Sequence, residues 1–295
     1  MDWQIRLVNL YVYICKTCAS RLCVYYERFS NNAHPEFTDE EVITIYLFGI
    51  MEKRREIKEI YNFTKDHLSA WFPRLPSYAG YVQRLNRLDS LFPVLVEQIL
   101  TDFPESNALQ ELRLLDSMPI IMANSKRSSS AKVADQFANK GYCPSKRMYF
   151  YGAKLHVLGL KRPETLPLPD FIGLTPATDH DLTAFKIIAP HLVNGEVFAD
   201  KAYVDELLKI QLKTEQNLDL NTPIKKEKGQ EELFLFDKVL STAVSRVRQP
   251  IESLFNWIDQ KTGIQMASKV RSYKGLVVHV FARLAAAMFI LAFNS

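Results

Sequence analysis

Two short apolar runs in this chain stop at an aspartate: "LRLLD" ends at Asp116 and "EVFAD" ends at Asp200. Runs of this length, bounded by polar residues, read as buried β-strands rather than helices. A carboxylate where a buried strand ends is costly unless it is paired or metal-bound. A third acid, Glu252, lies in "RVRQPIESLFNWI", whose apolar spacing is helical. These features predict an α/β protein in which three acids, far apart in sequence, are gathered by the fold into one site.

The two parts of the chain differ in texture. Residues 1–108 carry apolar residues at helical spacing, with no period-two alternation, and are expected to form an all-helical region for DNA binding or assembly. "FTDEEVITIYLFGIM" opens with a capping box, Thr38 with Glu41. Pro73 and Pro76 mark a turn, and Ser77 is placed to cap the helix that carries Arg84 and Arg87. Short helices ending in a basic one suit a helix-turn-helix-like DNA reader, and equally a solvated cationic face. From residue 109, "LRLLDSMPIIM", "RMYFYGAKLHVLGL", "DFIGLTPATDH", "GEVFADKAY" and "LDLNTPIK" read as strands. "LTAFKIIAPHL", "VDELLKIQLKTE" and a long run from near Leu240 read as helices. Strands followed by alternating strands and helices predict a mixed sheet with flanking helices over 109–295.

Composition excludes several classes. With 47% apolar and 24% charged residues in 295, the chain can bury a full core and is not disordered. A formal charge of +4 permits a polyanionic partner without requiring one. Four cysteines are too few for a disulfide scaffold of this size. Cys15 and Cys18 form a CxxC with Cys23 nearby, but no second ligand pair stands at zinc spacing, and Cys143 has no partner in sequence either. Reduced thiols in a cytoplasmic protein are expected. The N-terminus lacks the basic region of a signal peptide. The apolar run "GLVVHVFARLAAAMFILAFNS" is interrupted by His279 and Arg283, leaving less than the ~20 apolar residues of a membrane span. A core helix and no membrane association are expected.

Asp116, Asp200 and Glu252 carry the chemistry in this reading. Two divalent cations held about 3.5–4 Å apart can clamp an in-line displacement at phosphorus. Magnesium prefers oxygen ligands and needs few protein carboxylates. Each acid also has a plainer use: Asp116 as a turn residue, Asp200 as a partner of Lys201, Glu252 as a partner of Arg248 one helical turn away. Arg248 orients Glu252 or grips a phosphate with its fork of donors. In "TDHDL", Asp181 is placed to cap a helix, and His180 to support the site or touch substrate.

Cations are concentrated between Asn124 and Arg162, where Lys126, Arg127, Lys132, Lys140, Lys146, Arg147, Lys154, Lys161 and Arg162 face Asp135 alone as a fixed negative charge. Tyr142, Tyr149, Phe150 and Tyr151 interleave with them. Cations neutralise phosphates and aromatics stack on unpaired bases, so this stretch reads as a nucleic-acid contact. A second basic group, including Arg246, Arg248, Lys261 and Lys269, flanks Glu252.

The segments "LLDSMPI", "FADKAY" and "RVRQPIESLFNWI" resemble the three acidic stations of DDE-type bacterial insertion-sequence transposases, which belong to the RNase H-like integrase superfamily. "GYCPSKRMYFYGAKLH", "TPATDHDLTAF" and "LPSYAGYVQRLNRL" are also similar to segments of that family. The resemblance implies an RNase H-like α/β fold after a helical N-terminal region. It implies a DDE triad of Asp116, Asp200 and Glu252 holding two Mg2+ ions, with Mn2+ able to substitute. It implies DNA as partner, both terminal inverted repeats and target, a homodimer or larger assembly, and a bacterial, nucleoid-associated setting in the cytoplasm. Strand cleavage followed by strand transfer is the implied activity. The alternatives are an RNase H-like nuclease that only hydrolyses and a DNA-binding protein without catalysis. One related group carries a tyrosine before the arginine and a lysine after the glutamate; here Ser245 and Asp259 stand at those places.

Overall fold

Helical spacing governs the chain up to residue 101, and the elements follow it: α1 (Trp3–Thr17), α2 (Asp39–Met51), α3 (Ile57–His67), α4 (Tyr78–Arg87) and α5 (Leu91–Thr101). The structure, a computed structural model, describes residues 2–25, 35–102, 109–144, 146–226, 229–230 and 232–293. The expected capping box forms: the Glu41 N–H donates to Thr38 Oγ1 at 3.2 Å, and the Thr38 N–H donates to the Glu41 carboxylate at 2.6 Å. Ser77 caps α4 by accepting from the Gly80 N–H at 3.3 Å. Helix α2 is buried on all sides from Val42 to Met51, which makes it the centre of the helical core.

Contacts divide the chain into two units, one of Met1–Pro104 with Ile258–Ser295 and one of Glu105–Trp257. The boundary expected at 108/109 lies at residues 103–108, outside the described residues. Residues 258–295, expected with the sheet, pack instead with the N-terminal helices. The reason is their composition. The run Tyr273–Phe293 is predominantly apolar and long enough to cross a membrane, and 72% of its most apolar window is buried inside the protein. It forms α9 (Tyr273–Val277), a π-helical turn (Val278–Ala282) and α10 (Arg283–Phe293), and α10 packs on α2 and α5. His279 and Arg283, which interrupt the run, are buried too. Arg283 donates to the carbonyls of Thr262 and Arg55, and His279 Nε2 donates to the Ile264 carbonyl at 2.8 Å. Burial, with Arg283 alongside, pushes the His279 pKa down to about 3.

Arg84 and Arg87, expected on a DNA-reading face, hold a buried carboxylate. Asp39 is 4% exposed; Arg84 Nη2 reaches it at 2.7 Å and Arg87 Nη2 also binds it. A buried carboxylate needs this cationic company. Cys15, Cys18 and Cys143 are in no disulfide.

The second unit is a mixed sheet of β1 (Leu109–Asn124), β2 (Asn139–Cys143), β3 (Met148–Lys161), β4 (Leu168–Pro176), β5 (Gly195–Phe198) and β6 (Leu218–Asn221). The order is β2-β3-β1-β5-β6, with β4 also on β3. β1–β3, β2–β3 and β3–β4 are antiparallel, while β1–β5 and β5–β6 are parallel. Helices α6 (Asp181–Ile188) and α7 (Glu206–Gln216) provide the connections that parallel strands require. Phe185, Ile188 and Leu212 bury one face of the sheet with Leu115, Val197 and Leu220. Gly195 starts β5 at φ +93°, and a Cβ there would stand 2.1 Å from the Glu111 carbonyl oxygen, so only glycine lets β5 meet β1 in this register. The long helix α8 (Leu235–Thr262) starts five residues before the expected Leu240 and contains Pro250.

Replacing Arg84 by methionine removes one guanidinium from the buried Asp39 carboxylate. Urea unfolding at pH 7 is expected to show a loss of up to about 3 kcal/mol. Arg127→Ala, on an exposed turn, is expected to stay within about 0.5 kcal/mol.

Candidate active site

Asp116 does not end its strand: β1 runs on to Asn124, paired with β3 with a register shift between Ile121 and Ala123, and Asp116 faces Val157 across that ladder. It is the parallel neighbour that stops. β5 pairs with Leu112, Arg113 and Leu114 only, so Asp116 lies just beyond the end of that pairing. Asp200 follows β5 directly, as expected. The Ala199 N–H bonds the Asn221 carbonyl at 3.0 Å, and Asp200 then caps a short 3-10 turn, accepting from the Ala202 N–H at 2.7 Å. The end of the β1–β5 pairing thus brings Asp116, within β1, and Asp200, just after β5, to one region of the sheet.

The third element is α8. Arg248 Nη1 lies 2.7 Å from Asp116 Oδ2, and Arg248 Nη2 pairs with Glu252 Oε1 one turn along the helix. Asp200 lies near enough to act on the same guanidinium electrostatically. Asp116, Asp200 and Glu252 are therefore grouped around Arg248. Pro250, between Arg248 and Glu252, has no N–H to offer the Arg246 carbonyl, which loosens the helical turn that carries this pair.

The electrostatics follow from that grouping. Burial pushes Asp116 up to about 7, against the pull of Arg248 and the Ser117 N–H, and the nearby charges of Asp200 and Glu252 push the same way as burial. Burial likewise raises the Asp200 pKa, opposed by the Ala202 N–H and Arg248. Desolvation alone would weaken the Arg248 charge, but Asp116, Glu252 and Asp200 hold its pKa above the ordinary value.

The donor set has the chemistry of a hard-cation site: carboxylate oxygens, two of the three groups carrying a pKa raised by burial. The oxygens do not converge on one point. Among the described residues no three His, Cys, Asp or Glu side chains are close enough together to hold a single ion. Arg248, placed between Asp116 and Glu252, explains why: each acid turns an oxygen towards the guanidinium.

Other residues singled out in sequence fall in several places. Asp181 does not cap α6; His180 holds the N-cap position and its side chain makes no capping bond. The Asp181 carboxylate instead pairs with Lys154 Nζ at 3.0 Å, and Lys154 also donates to the Asp179 carbonyl at 2.8 Å. Lys154 is thus engaged within the sheet unit. Lys126, Arg127, Lys146, Arg147 and Lys201 are exposed. Lys126 and Arg127 follow Ser125, whose hydroxyl donates to the Tyr149 carbonyl at 3.1 Å, so their turn lies at the β2–β3 end of the sheet. Lys161, Arg162 and Arg246 line a cleft of about 610 Å³ beside α8. Lys261, Arg84 and Arg87 belong to the helical unit.

Two buried polar residues of the sheet unit escaped the sequence reading. Tyr203 is 1% exposed, and its hydroxyl finds no hydrogen-bond partner. Burial and the charges of Asp181, Asp116 and Asp200 raise its pKa well above the ordinary value. His156, opposite Ser117 in the β1–β3 ladder, bonds Thr175 Oγ1 through Nε2 at 2.9 Å and leaves Nδ1 without a partner. Burial lowers its pKa to about 4. The only signal for either was a polar tip within an apolar run.

A mixed α/β sheet with this strand order, one acid within its central strand and one just after the parallel neighbour, is an RNase H-like arrangement. The chain matches the transposase DDE domain family over residues 106–272, more than half its length, and it belongs to that family. The family gives it a transposase function, with DNA as its partner. No curated protein and no solved structure matches it.

The folded protein holds the Asp116 proton up to about pH 7, whereas an unfolded chain releases it near the ordinary value of 3.8, so stability falls as pH rises between those values. Arg248→Met removes the opposing cation, and carboxyl NMR titration is expected to show Asp116 ionising above pH 7. Tyr203→Phe deletes a buried hydroxyl that has no partner. It is expected to leave thermal stability unchanged or raise it by about 1 kcal/mol.

Proposed function

We propose that this chain is the transposase of a bacterial insertion sequence, acting on DNA in the cytoplasm at the nucleoid. It binds the element's terminal inverted repeats, cuts a strand at the element's end and joins the freed 3′-hydroxyl to target DNA. Asp116, Asp200 and Glu252 are its catalytic acids. The observation that carries this reading is the grouping of these three residues around Arg248 within the region that matches the transposase DDE domain family.

Asp116 and Asp200 would hold a divalent ion, Mg2+ with Mn2+ as substitute. The Glu252 side chain, 52% exposed, completes the set by turning away from Arg248. Two such ions, when bound, supply an activated attacking oxygen and a stabilised leaving oxygen. Arg248, released from Glu252, offers its fork of donors to a phosphate beside the acids. Lys126, Arg127, Lys146, Arg147 and Lys201 neutralise phosphates further along the strand. Exchange of one phosphodiester for another needs no external energy source.

Joining two element ends requires two active sites, hence a homodimer or larger assembly. The start of α8 supports this, since Phe234, Leu235 and Phe236 are 75%, 80% and 76% exposed. An apolar patch of that kind is commonly covered by association.

The test is a strand-transfer assay with the DNA flanking the coding region, presented as a pre-cut end. Joined products are expected with Mg2+ or Mn2+. Asp116→Ala, Asp200→Ala and Glu252→Gln are expected to reduce them below detection while end binding persists. Hydrolysis without joining would make the protein a nuclease, and binding without either reaction would make it a DNA-binding protein only.

A further inference from the structure

The hairpin of β2 and β3 carries two tyrosines for which the acid site has no use. Tyr142 and Tyr149 are direct cross-strand partners. Their neighbours in the strands, Cys143, Met148 and Phe150, turn inwards and pack with Ile121 and Ala177. Tyr142 and Tyr149 stand on the opposite face and are 47% and 53% exposed. Their ring centroids are 5.0 Å apart with the planes tilted by 55°, so neither ring covers the other's face. Tyr151, on the same face, is covered: it is 5% exposed and its hydroxyl donates to the Val133 carbonyl at 3.1 Å.

The surroundings of the pair are cationic. Lys140 Nζ lies 4.8 Å from the centroid of the Tyr149 ring. Lys126 and Arg127 follow Ser125, which is tied to the Tyr149 carbonyl, and Arg147 lies in the hairpin turn. Asp135 is an acid near this hairpin, and its charge reaches Tyr151. Exposed aromatic faces ringed by cations match a ligand that has both flat apolar faces and regular negative charge. A nucleic-acid strand has both, whereas an acidic peptide has only the charge. The bases of a closed duplex are already stacked on one another, so the pair can serve only bases that are out of the duplex.

We infer that Tyr142 and Tyr149 form a stacking platform for unpaired bases of the DNA strand on which this protein acts. The inference rests on the transposase reading for the identity of the strand, and on the hairpin alone for the contact.

The test uses the full chain in EDTA, so that binding is read without cleavage. Its probes are a labelled blunt duplex and the same duplex with a short single-stranded extension containing 2-aminopurine. The unaltered protein is expected to bind the extended probe more tightly and to quench the 2-aminopurine. The double variant Tyr142→Ala/Tyr149→Ala is expected to lose about tenfold or more in affinity for the extended probe, and the quenching with it. Its affinity for the blunt duplex is expected to change less than about twofold, and Tyr142→Phe/Tyr149→Phe to behave as the unaltered protein. Unchanged circular dichroism and melting of the alanine variant establish that it folds. Equal affinity of the unaltered protein for both probes, or an alanine variant that still quenches, overturns the inference and leaves the transposase reading in place. Failure of the unaltered protein to bind either probe overturns both.

Discussion

The acid centre of the α/β unit depends on one guanidinium. Asp116, Asp200 and Glu252 would repel one another if brought together in a half-buried place without a cation. Arg248 supplies that cation, bonded to Asp116 on β1 and to Glu252 on its own helix. Its position couples the long helix to the sheet, since α8 cannot turn about its axis without pulling the guanidinium from Asp116. A buried ion pair of this kind adds little net stability, because desolvation offsets much of the attraction. Its larger effect is on arrangement, because it selects one rotation of the helix over all others.

The backbone prepares the same centre from the other side. Gly195 permits β5 to meet β1 closely, and the parallel pairing then stops short of Asp116. The Ala199–Asn221 bond fixes the exit from β5 so that Asp200 turns into its 3-10 cap instead of continuing the strand. Each device acts locally, and together they place two carboxylates that are distant in sequence in one region of the sheet.

What could be read from sequence was mostly local. The Thr38–Glu41 capping box and the Ser77 cap involve residues three apart, and both form as expected. The end of β5 at Asp200 was legible because the chain itself turns there. The end at Asp116 was not, because β1 continues and only its neighbour stops. Arg84 and Arg87 read as a basic face because their partner Asp39 lies 45 and 48 residues away. Residues 258–295 looked like an extension of the catalytic part, and only contacts across the chain assign them to the helical unit. Among the four aromatics of the basic stretch, strand alternation could set Phe150 inwards, but the cover over Tyr151 comes from a loop that no periodicity announces.

The β1–β3 ladder, which shifts register between Ile121 and Ala123, has a metric consequence. The eight residues from Tyr149 to Val157, opposite Asp116, span about 26 Å of strand. Changing that separation would require breaking ladder bonds, so the hairpin tip and Asp116 behave as two marks on a rigid gauge.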